Sequence, residues 1–267
     1  MKQVLIHAGF HKTGTTSVQK TLIHNRKTLR RHYQIFTRRN MPGPCEAARA
    51  YSISRTPADL LIFSAEMADL FSRIDAGDPR PALLSSEDLS GHMPGRYGLD
   101  TYAAAPLLMK AICHTATQAY DAPIELTFLF TTRNPEPWLR SCYAQHLRAI
   151  RLTQDFDSYR ASHAASADLA NIVARTRLAV APHKLHATPL ESLGDRPLGP
   201  LAALLDVLET PRRVRRRIEP LPPANISPPQ ELLAAYLETN RSTLDDDTAA
   251  QAKIQARRIW LTGKTGD

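Results

Sequence analysis

A glycine- and threonine-rich segment near the start of the chain has the composition of an anion-binding loop. The segment, residues 9–16, reads Gly-Phe-His-Lys-Thr-Gly-Thr-Thr and follows a short β-prone run at residues 3–7. Between a strand and a helix, successive backbone N–H groups can converge on a phosphate, and the helix N-terminus adds about half a positive charge. The predicted anion-binding residues are Gly9, His11, Lys12, Thr13, Gly14, Thr15 and Thr16.

An arginine and a serine further along the chain have the spacing to hold a second phosphate. The run Ile124–Thr132 is nearly continuous in apolar and β-branched residues, as in a strand covered on both faces, and Arg133 follows it directly. Pro135 suits the first position of a helix that Asn134 can cap. Ser141 follows Asn134 by seven residues, about two turns, and so returns to the face from which Arg133 projects. A phosphate there would receive an ion pair from Arg133 and a hydrogen bond from Ser141.

The elements that must position these residues alternate between strands and helices. Short apolar or β-branched runs predict strands at residues 3–7, 33–37, 81–86, 124–132 and 184–187. A helix should start near residues 15–17, with Val18, Leu22 and Ile23 as its apolar face. Further helices are predicted at residues 135–150, 198–208, 230–239 and 245–261. The alternation, with no tight Asn-Gly or Asp-Gly hairpins, predicts an α/β fold with a mainly parallel central sheet flanked by helices.

Both motifs resemble the donor-binding motifs of sulfotransferases that use 3′-phosphoadenosine 5′-phosphosulfate (PAPS). The pattern G-x-x-K-T-G-T-T is similar to the family's 5′-phosphosulfate loop, and R-N-P-x-x-W-L-x-S is similar to its 3′-phosphate motif. The resemblance implies a P-loop three-layer sandwich that transfers a sulfuryl group from PAPS to a hydroxyl or amine of a carbohydrate or small molecule. It also implies release of PAP and no required metal. Lys12 and the loop amides would hold the 5′-phosphosulfate, while Arg133 and Ser141 would bind the 3′-phosphate.

Sulfuryl transfer needs a base for the acceptor's proton and a cation for the charge that builds on the leaving phosphate. Lys12 can serve as that cation. Glu87 is the favoured base because it follows the predicted strand 81–86, and open α/β sheets bind ligands at the carboxyl ends of their strands. His11 and His92 are competitors for this role. A carboxylate that only caps a helix is an equally good interpretation of Glu87.

Two other classes of function are kept as alternatives. One is a P-loop kinase that uses ATP and Mg²⁺, with Glu87 or Asp88 near the metal. Against it, a Walker A loop has its lysine directly after the second glycine, whereas Lys12 precedes Gly14 by two positions. The other is a non-catalytic nucleotide-binding module, or a nucleic-acid binder that uses the arginine-rich run at residues 212–217. Because no aromatic residues are interleaved with these arginines, we expect a solvated basic surface and no nucleic-acid partner.

Length and composition place the chain among ordinary globular proteins. Its 267 residues predict one sulfotransferase-like domain over residues 1–267, with a helical C-terminal extension from about residue 230. The net charge of +8 favours an anionic partner, whether a nucleotide, a nucleic acid, an acidic polysaccharide or a membrane surface, and charge alone does not choose among them. No apolar run is long enough to span a membrane or to form a signal-peptide core, so we expect a cytoplasmic protein with reduced cysteines. Lys264, in a Gly-Lys-Thr-Gly tail, matches poorly the glycine-rich C-terminal segment of some sulfotransferases.

Overall fold

The computed structural model describes residues 1–222 and 227–263, and within them it contains the parallel sheet that the sequence predicts. The strands are β1 (Lys2–His7), β2 (Gln34–Thr37), β3 (Ala82–Ser85), β4 (Ile124–Thr132) and β5 (Lys184–Pro189). They lie in the order β2-β3-β1-β4-β5, and each neighbouring pair is parallel. The predicted α/β class is confirmed, and the strands lie close to their predicted positions. Residues 223–226, within a proline-rich stretch, and Lys264 fall outside the described residues.

Helices occupy most of the chain between and after the strands. The α-helices are α1 (Thr15–His24), α2 (Arg26–Leu29), α3 (Pro42–Ser54), α4 (Pro57–Ser72), α5 (Ala105–Ala119), α6 (Pro135–Ala149), α7 (Phe156–Ser162), α8 (Leu169–Ala179), α9 (Leu201–Val207), α10 (Arg212–Arg215), α11 (Gln230–Arg241) and α12 (Asp246–Gly263). Short 3₁₀ turns lie at Arg38–Asn40, Glu87–Ser90, Ala164–Ala167 and Leu190–Leu193. Within residues 1–222 and 227–263, no helix has both the length and the apolar character that crossing a bilayer requires.

The chain is organised into two compact units. The first combines Met1–Asn134 with Asp168–Ala224 and contains the whole sheet. The second combines Pro135–Ala167 with Asn225–Asp267 and contains α6, α7, α11 and α12. The loop after β1 and the end of β4 both belong to the first unit.

The first unit is held together by a sheet that is buried on both faces. Consecutive residues Val4, Leu5 and Ile6 of β1 are each at most 2% exposed, although neighbouring side chains in a strand point to opposite faces. On one face Leu5 packs in a core with Val18 and Leu22 of α1. Ile23 was predicted on the same helical face but is 49% exposed, because five residues from Val18 carry it about 140° around the helix.

The second unit contains a buried polar centre formed by Asn240 and Lys253. The Lys253 ammonium donates to the carbonyls of Leu147 (3.1 Å) and Ile150 (3.0 Å) and to Asn240 Oδ1 (2.7 Å). The Asn240 amide donates in turn to the carbonyls of Leu147 (3.0 Å) and Leu152 (2.9 Å). Both side chains are at least 95% buried, so these hydrogen bonds tie the end of α6 to α11 and α12 away from water.

Replacing Asn240 with alanine should destabilise the protein, because the buried Lys253 ammonium then loses its side-chain acceptor. We expect the free energy of unfolding to fall by about 2–4 kcal/mol. Glu238→Ala, at an exposed position of the same helix, is the matched control and should change it by less than about 0.5 kcal/mol. Urea unfolding followed by circular dichroism measures both variants, and equal stabilities would contradict the role of this centre.

Candidate anion-binding site

The loop between β1 and α1 adopts a backbone that repeatedly enters the left-handed region. Gly9 (φ 58°) and Gly14 (φ 97°) do so, and so does Lys12 (φ 67°), which is not a glycine. Gly9 suits this left-handed backbone, and a side chain there would also place its Cβ in a tight contact, 3.0 Å from the Thr15 hydroxyl. For Lys12 the left-handed conformation costs about 1–2 kcal/mol, which the surrounding contacts must offset.

Hydroxyl groups hold the loop from neighbouring segments. The buried Thr13 hydroxyl donates to the Phe10 carbonyl (2.7 Å) and lies 2.9 Å from the hydroxyl of Thr131 on β4. The Ser90 hydroxyl donates to the Gly9 carbonyl (2.7 Å). Two loop carbonyls are thus engaged by hydroxyl donors, which reduces the negative charge that the loop presents to an anion.

The N-terminus of α1 lies at the end of this loop, and no acidic residue of its first turn neutralises the positive end of the helix dipole. Its N-cap residue is Gly14, which offers no side-chain acceptor. Thr15 and Thr16, predicted to contact the anion, form the first two positions of the helix, as expected. The first N–H groups of such a helix, together with its dipole, favour a bound anion.

Arg133 reaches the same loop from the end of β4. Its Nη1 donates to the Lys12 carbonyl at 3.2 Å, so the two cationic residues of the separate sequence motifs lie next to each other. The backbone N–H of Asn134 donates to Glu191 Oε1 at 2.8 Å, which fixes the chain directly after Arg133. Helix α6 begins at Pro135 as predicted, and Ser141 lies on it, in the second unit.

His11 belongs to a polar network that the sequence does not reveal. Its backbone N–H and its Nδ1 are each 3.0 Å from the Tyr102 hydroxyl, and its Nε2 is 3.5 Å from Asp88 Oδ1. Arg38 Nε lies 3.0 Å from the other oxygen of Asp88. Burial raises the pKa of Asp88, but the hydrogen bond and charge of His11 and the charge of Arg38 outweigh it, so the net pKa is below its ordinary value. Asp88 is therefore ionised at neutral pH.

The other two candidate bases have different surroundings. Glu87 is partly exposed at the start of the 3₁₀ turn after β3, and Gln19 of α1 donates to its Oε2 at 2.8 Å. The Ser86 hydroxyl caps that turn by accepting a hydrogen bond from the Asp88 N–H, so Glu87 is not the capping residue. His92 accepts a hydrogen bond from Arg49 Nε at 3.3 Å. Burial and the charge of Arg49 lower the pKa of His92 to about 4.

His7, at the end of β1, is a buried titratable residue next to the loop. Its Nδ1 lies 2.9 Å from the Ser85 hydroxyl on β3, and its side chain is inaccessible to solvent. Burial lowers the pKa of His7 to about 4, so the ring is neutral at pH 7. Sequence patterns did not identify these residues as part of the site, because only the fold brings them to the loop: His7, Arg38, Tyr102 and Thr131.

His7 should make the stability of the protein depend on pH. Because its folded pKa lies below the ordinary value of 6.5, the unfolded chain takes up the proton first as the pH falls. The free energy of unfolding should fall between pH 6.5 and 4, by about 3 kcal/mol in total from this group. Urea unfolding across this range should show a shallower dependence for His7→Asn and an unchanged one for His114→Asn, an exposed control. Identical pH dependence in wild type and His7→Asn would contradict the assignment.

Comparison with known proteins finds likenesses among solved structures. No protein-family model matches the chain, and no curated protein matches it. Among solved structures, a crystal structure of a sulfotransferase from Alicyclobacillus acidocaldarius is similar over 96% of this chain and 96% of that chain, at 17% sequence identity and a TM-score of 0.44. At that identity and TM-score, the function of the chain has to be inferred from its own residues.

Proposed function

We propose that this protein is a sulfotransferase that moves a sulfuryl group from PAPS to a hydroxyl or amine of an acceptor, such as a carbohydrate or small molecule, and releases PAP. The contact between Arg133 and the Lys12 carbonyl carries the proposal, because it brings together one residue from each of the two sequence motifs that resemble donor-binding motifs. A nucleotide with phosphate groups at both its 3′ and 5′ positions would use both cations. The proposal includes a cytoplasmic location and no requirement for a metal.

The loop and the start of α1 would bind the 5′-phosphosulfate. Lys12 brings a cationic side chain, Gly14 leaves the helix N-terminus without a side-chain cap, and Thr15 and Thr16 add hydroxyl groups in the first turn. Arg133 would bind the 3′-phosphate from the end of β4. The part assigned to Ser141 rests on the sequence pattern alone.

The reaction would form a bond between the acceptor oxygen or nitrogen and sulfur, while the bond from sulfur to the phosphate oxygen of the donor breaks. The acceptor's proton passes to a base, and the electron pair of the broken bond leaves with PAP. The Lys12 ammonium would stabilise the charge that builds on the leaving phosphate oxygen. Each of these roles needs a group at the carboxyl edge of the sheet, where the loop and Glu87 both lie.

Glu87 is the base that this arrangement favours. Its carboxylate is held by Gln19 and is partly exposed, so it can meet an acceptor. Both ring nitrogens of His11 have neighbours, Tyr102 and Asp88, which suits a positioning role within the loop. His92 is a weaker candidate for the base, because its Nε2 already accepts a hydrogen bond from Arg49.

A kinase that uses ATP and Mg²⁺ is the alternative, and the surroundings of Asp88 weigh against it. In a kinase, a carboxylate after β3 would coordinate the metal. Asp88 already pairs with Arg38 at one oxygen and lies beside His11 at the other. A carboxylate paired in this way is a poor ligand for a divalent cation.

Lys12→Ala should weaken PAP binding at least tenfold, because a charge-assisted hydrogen bond to the 5′-phosphate is lost. Lys20→Ala, at an exposed position on the same α1 helix, is the control and should bind PAP as the wild type does. Isothermal titration calorimetry without magnesium measures both. Unchanged PAP affinity in Lys12→Ala would discredit the donor assignment, and tight Mg²⁺-dependent ATP binding without PAP binding would favour the kinase.

Glu87→Gln should reduce PAPS turnover by about 10²–10⁴-fold while PAP affinity stays unchanged, because only proton transfer is lost. Turnover is read as PAP release against a panel of hydroxyl and amine acceptors. If Glu87→Gln keeps wild-type turnover, the base is another residue, and His11→Asn is then the variant to measure.

A further inference from the structure

Two basic segments of the first unit lie side by side. Residues 24–33 contain α2, and residues 210–219 contain α10. Each segment contributes four exposed cations. These cations, here called the basic face, are Arg26, Lys27, Arg30, Arg31, Arg212, Arg213, Arg216 and Arg217.

Hydrogen bonds fasten the two segments together at both ends. At one end the Asn25 amide donates to the Glu219 carbonyl (2.9 Å), and the Glu219 N–H donates to Asn25 Oδ1 (2.8 Å). At the other end the Tyr33 and Thr210 hydroxyls are 2.7 Å apart. Asn25, Tyr33 and Thr210 are at least 95% buried, so these bonds are protected from water.

Apolar packing between these ends keeps the cations on the outside. Leu29 from the first segment and Val214 and Ile218 from the second belong to the same buried core. Their burial points the intervening arginines and Lys27 to solvent. The basic face is thus a fixed arrangement of charge, since its two segments are anchored by both core side chains and terminal hydrogen bonds.

The charge of the basic face is almost uncompensated within its own segments. In residues 24–33 and 210–219, which are all described, the acidic residue is Glu219, and its carboxylate pairs with His24 at 2.9 Å. The neighbouring Asp206 is shared by Arg196 and Arg215, neither of which belongs to the face. Like charges held close together repel, and an anionic partner would relieve that repulsion.

The topology places the basic face away from the donor loop. Strand β1 runs to the loop at the carboxyl edge of the sheet, and α1 returns over 10 residues, about 15 Å, to end at His24. Strand β2 starts at Gln34, whose N–H donates to the Pro81 carbonyl just before β3 (2.9 Å). The basic face therefore lies at the amino edge of the sheet and does not belong to the proposed sulfuryl-transfer site.

Two exposed aliphatic side chains adjoin one end of the basic face. Ile23 is 49% exposed and Leu221 is 36% exposed, and each lies two residues from a member of the Asn25–Glu219 pair. Aliphatic side chains beside a group of cations match a phospholipid surface, where the cations meet headgroup phosphates and the aliphatic groups enter the interface. No Phe, Tyr or Trp side chain is exposed in residues 24–33 or 210–219, whereas single-stranded nucleic acids are bound by stacking on such rings.

We propose that the basic face docks this protein on a membrane surface rich in anionic phospholipids. Docking would leave the donor loop, at the other edge of the sheet, open to solvent. The inference goes beyond the proposed sulfuryl transfer and does not depend on the identity of the donor.

Cosedimentation with phosphatidylcholine vesicles, with and without about 30% phosphatidylserine, tests this surface. The full chain should bind only the anionic vesicles, and binding should weaken between about 0.1 M and about 0.5 M NaCl. Arg212→Glu/Arg213→Glu should lower that binding at least tenfold. Arg175→Glu/Arg177→Glu, with the same charge change at exposed positions on α8, should alter it by less than about twofold. PAP affinity should be unchanged in both variants, which separates this test from that of the donor site.

A second pair of variants distinguishes a membrane from nucleic acid. Ile23→Ser should weaken vesicle binding without changing binding to random double-stranded DNA, whereas Ile53→Ser, exposed on α3, should change neither. If Arg212→Glu/Arg213→Glu fails to fold, Arg26→Glu/Lys27→Glu takes its place. The proposal is overturned if the wild type does not bind anionic vesicles, or if the face and control variants lose equal affinity. It is also overturned if DNA binding depends on the face and vesicle binding does not.

Discussion

The hydrogen bond from the Arg133 guanidinium to the Lys12 carbonyl is the interaction on which the candidate site depends. It joins the end of β4 to the loop after β1, and it is possible because these strands are adjacent in the sheet. A second contact between the same segments, from Thr13 to Thr131, holds the loop close to β4. Together they stabilise the left-handed backbone of Lys12 and hold the loop that leads into α1 next to Arg133.

Much of this arrangement could be predicted from the sequence because it depends on short-range chemistry. Gly9 and Gly14 are required by local backbone conformation, and the start of α1 follows from the residues next to it. The strands were predictable because buried parallel strands are nearly continuous in apolar residues, as Ile124–Thr132 is. The contact between Lys12 and Arg133 could not be predicted from the spacing of the two motifs in the sequence, because it depends on the pairing of β1 with β4.

The parts that escaped prediction depend on distant segments. Helix α3 begins with Pro42-Gly43-Pro44, which on its own is typical of a turn, and it forms a helix that buries Cys45, Ala48 and Tyr51. Tyr102 reaches His11 across 91 residues from a segment without any motif. The network of His11, Asp88 and Arg38 similarly joins three segments that only the sheet brings together. Such contacts leave no periodic signal, because each partner is chosen by the fold as a whole.

The central claim is that Arg133 and Lys12 bind different phosphates of one nucleotide, and calorimetric titration of PAP and 5′-AMP into wild type and Arg133→Ala tests it most directly. Wild type should bind PAP at least tenfold more tightly than 5′-AMP, because the 3′-phosphate adds a charge-assisted pair with Arg133. In Arg133→Ala the two ligands should bind equally, because PAP loses its pair with Arg133 whereas 5′-AMP loses at most the smaller contribution that the contact between Arg133 and the Lys12 carbonyl makes to the loop. Equal affinities in the wild type, or an equal loss for both ligands in the variant, would contradict the claim.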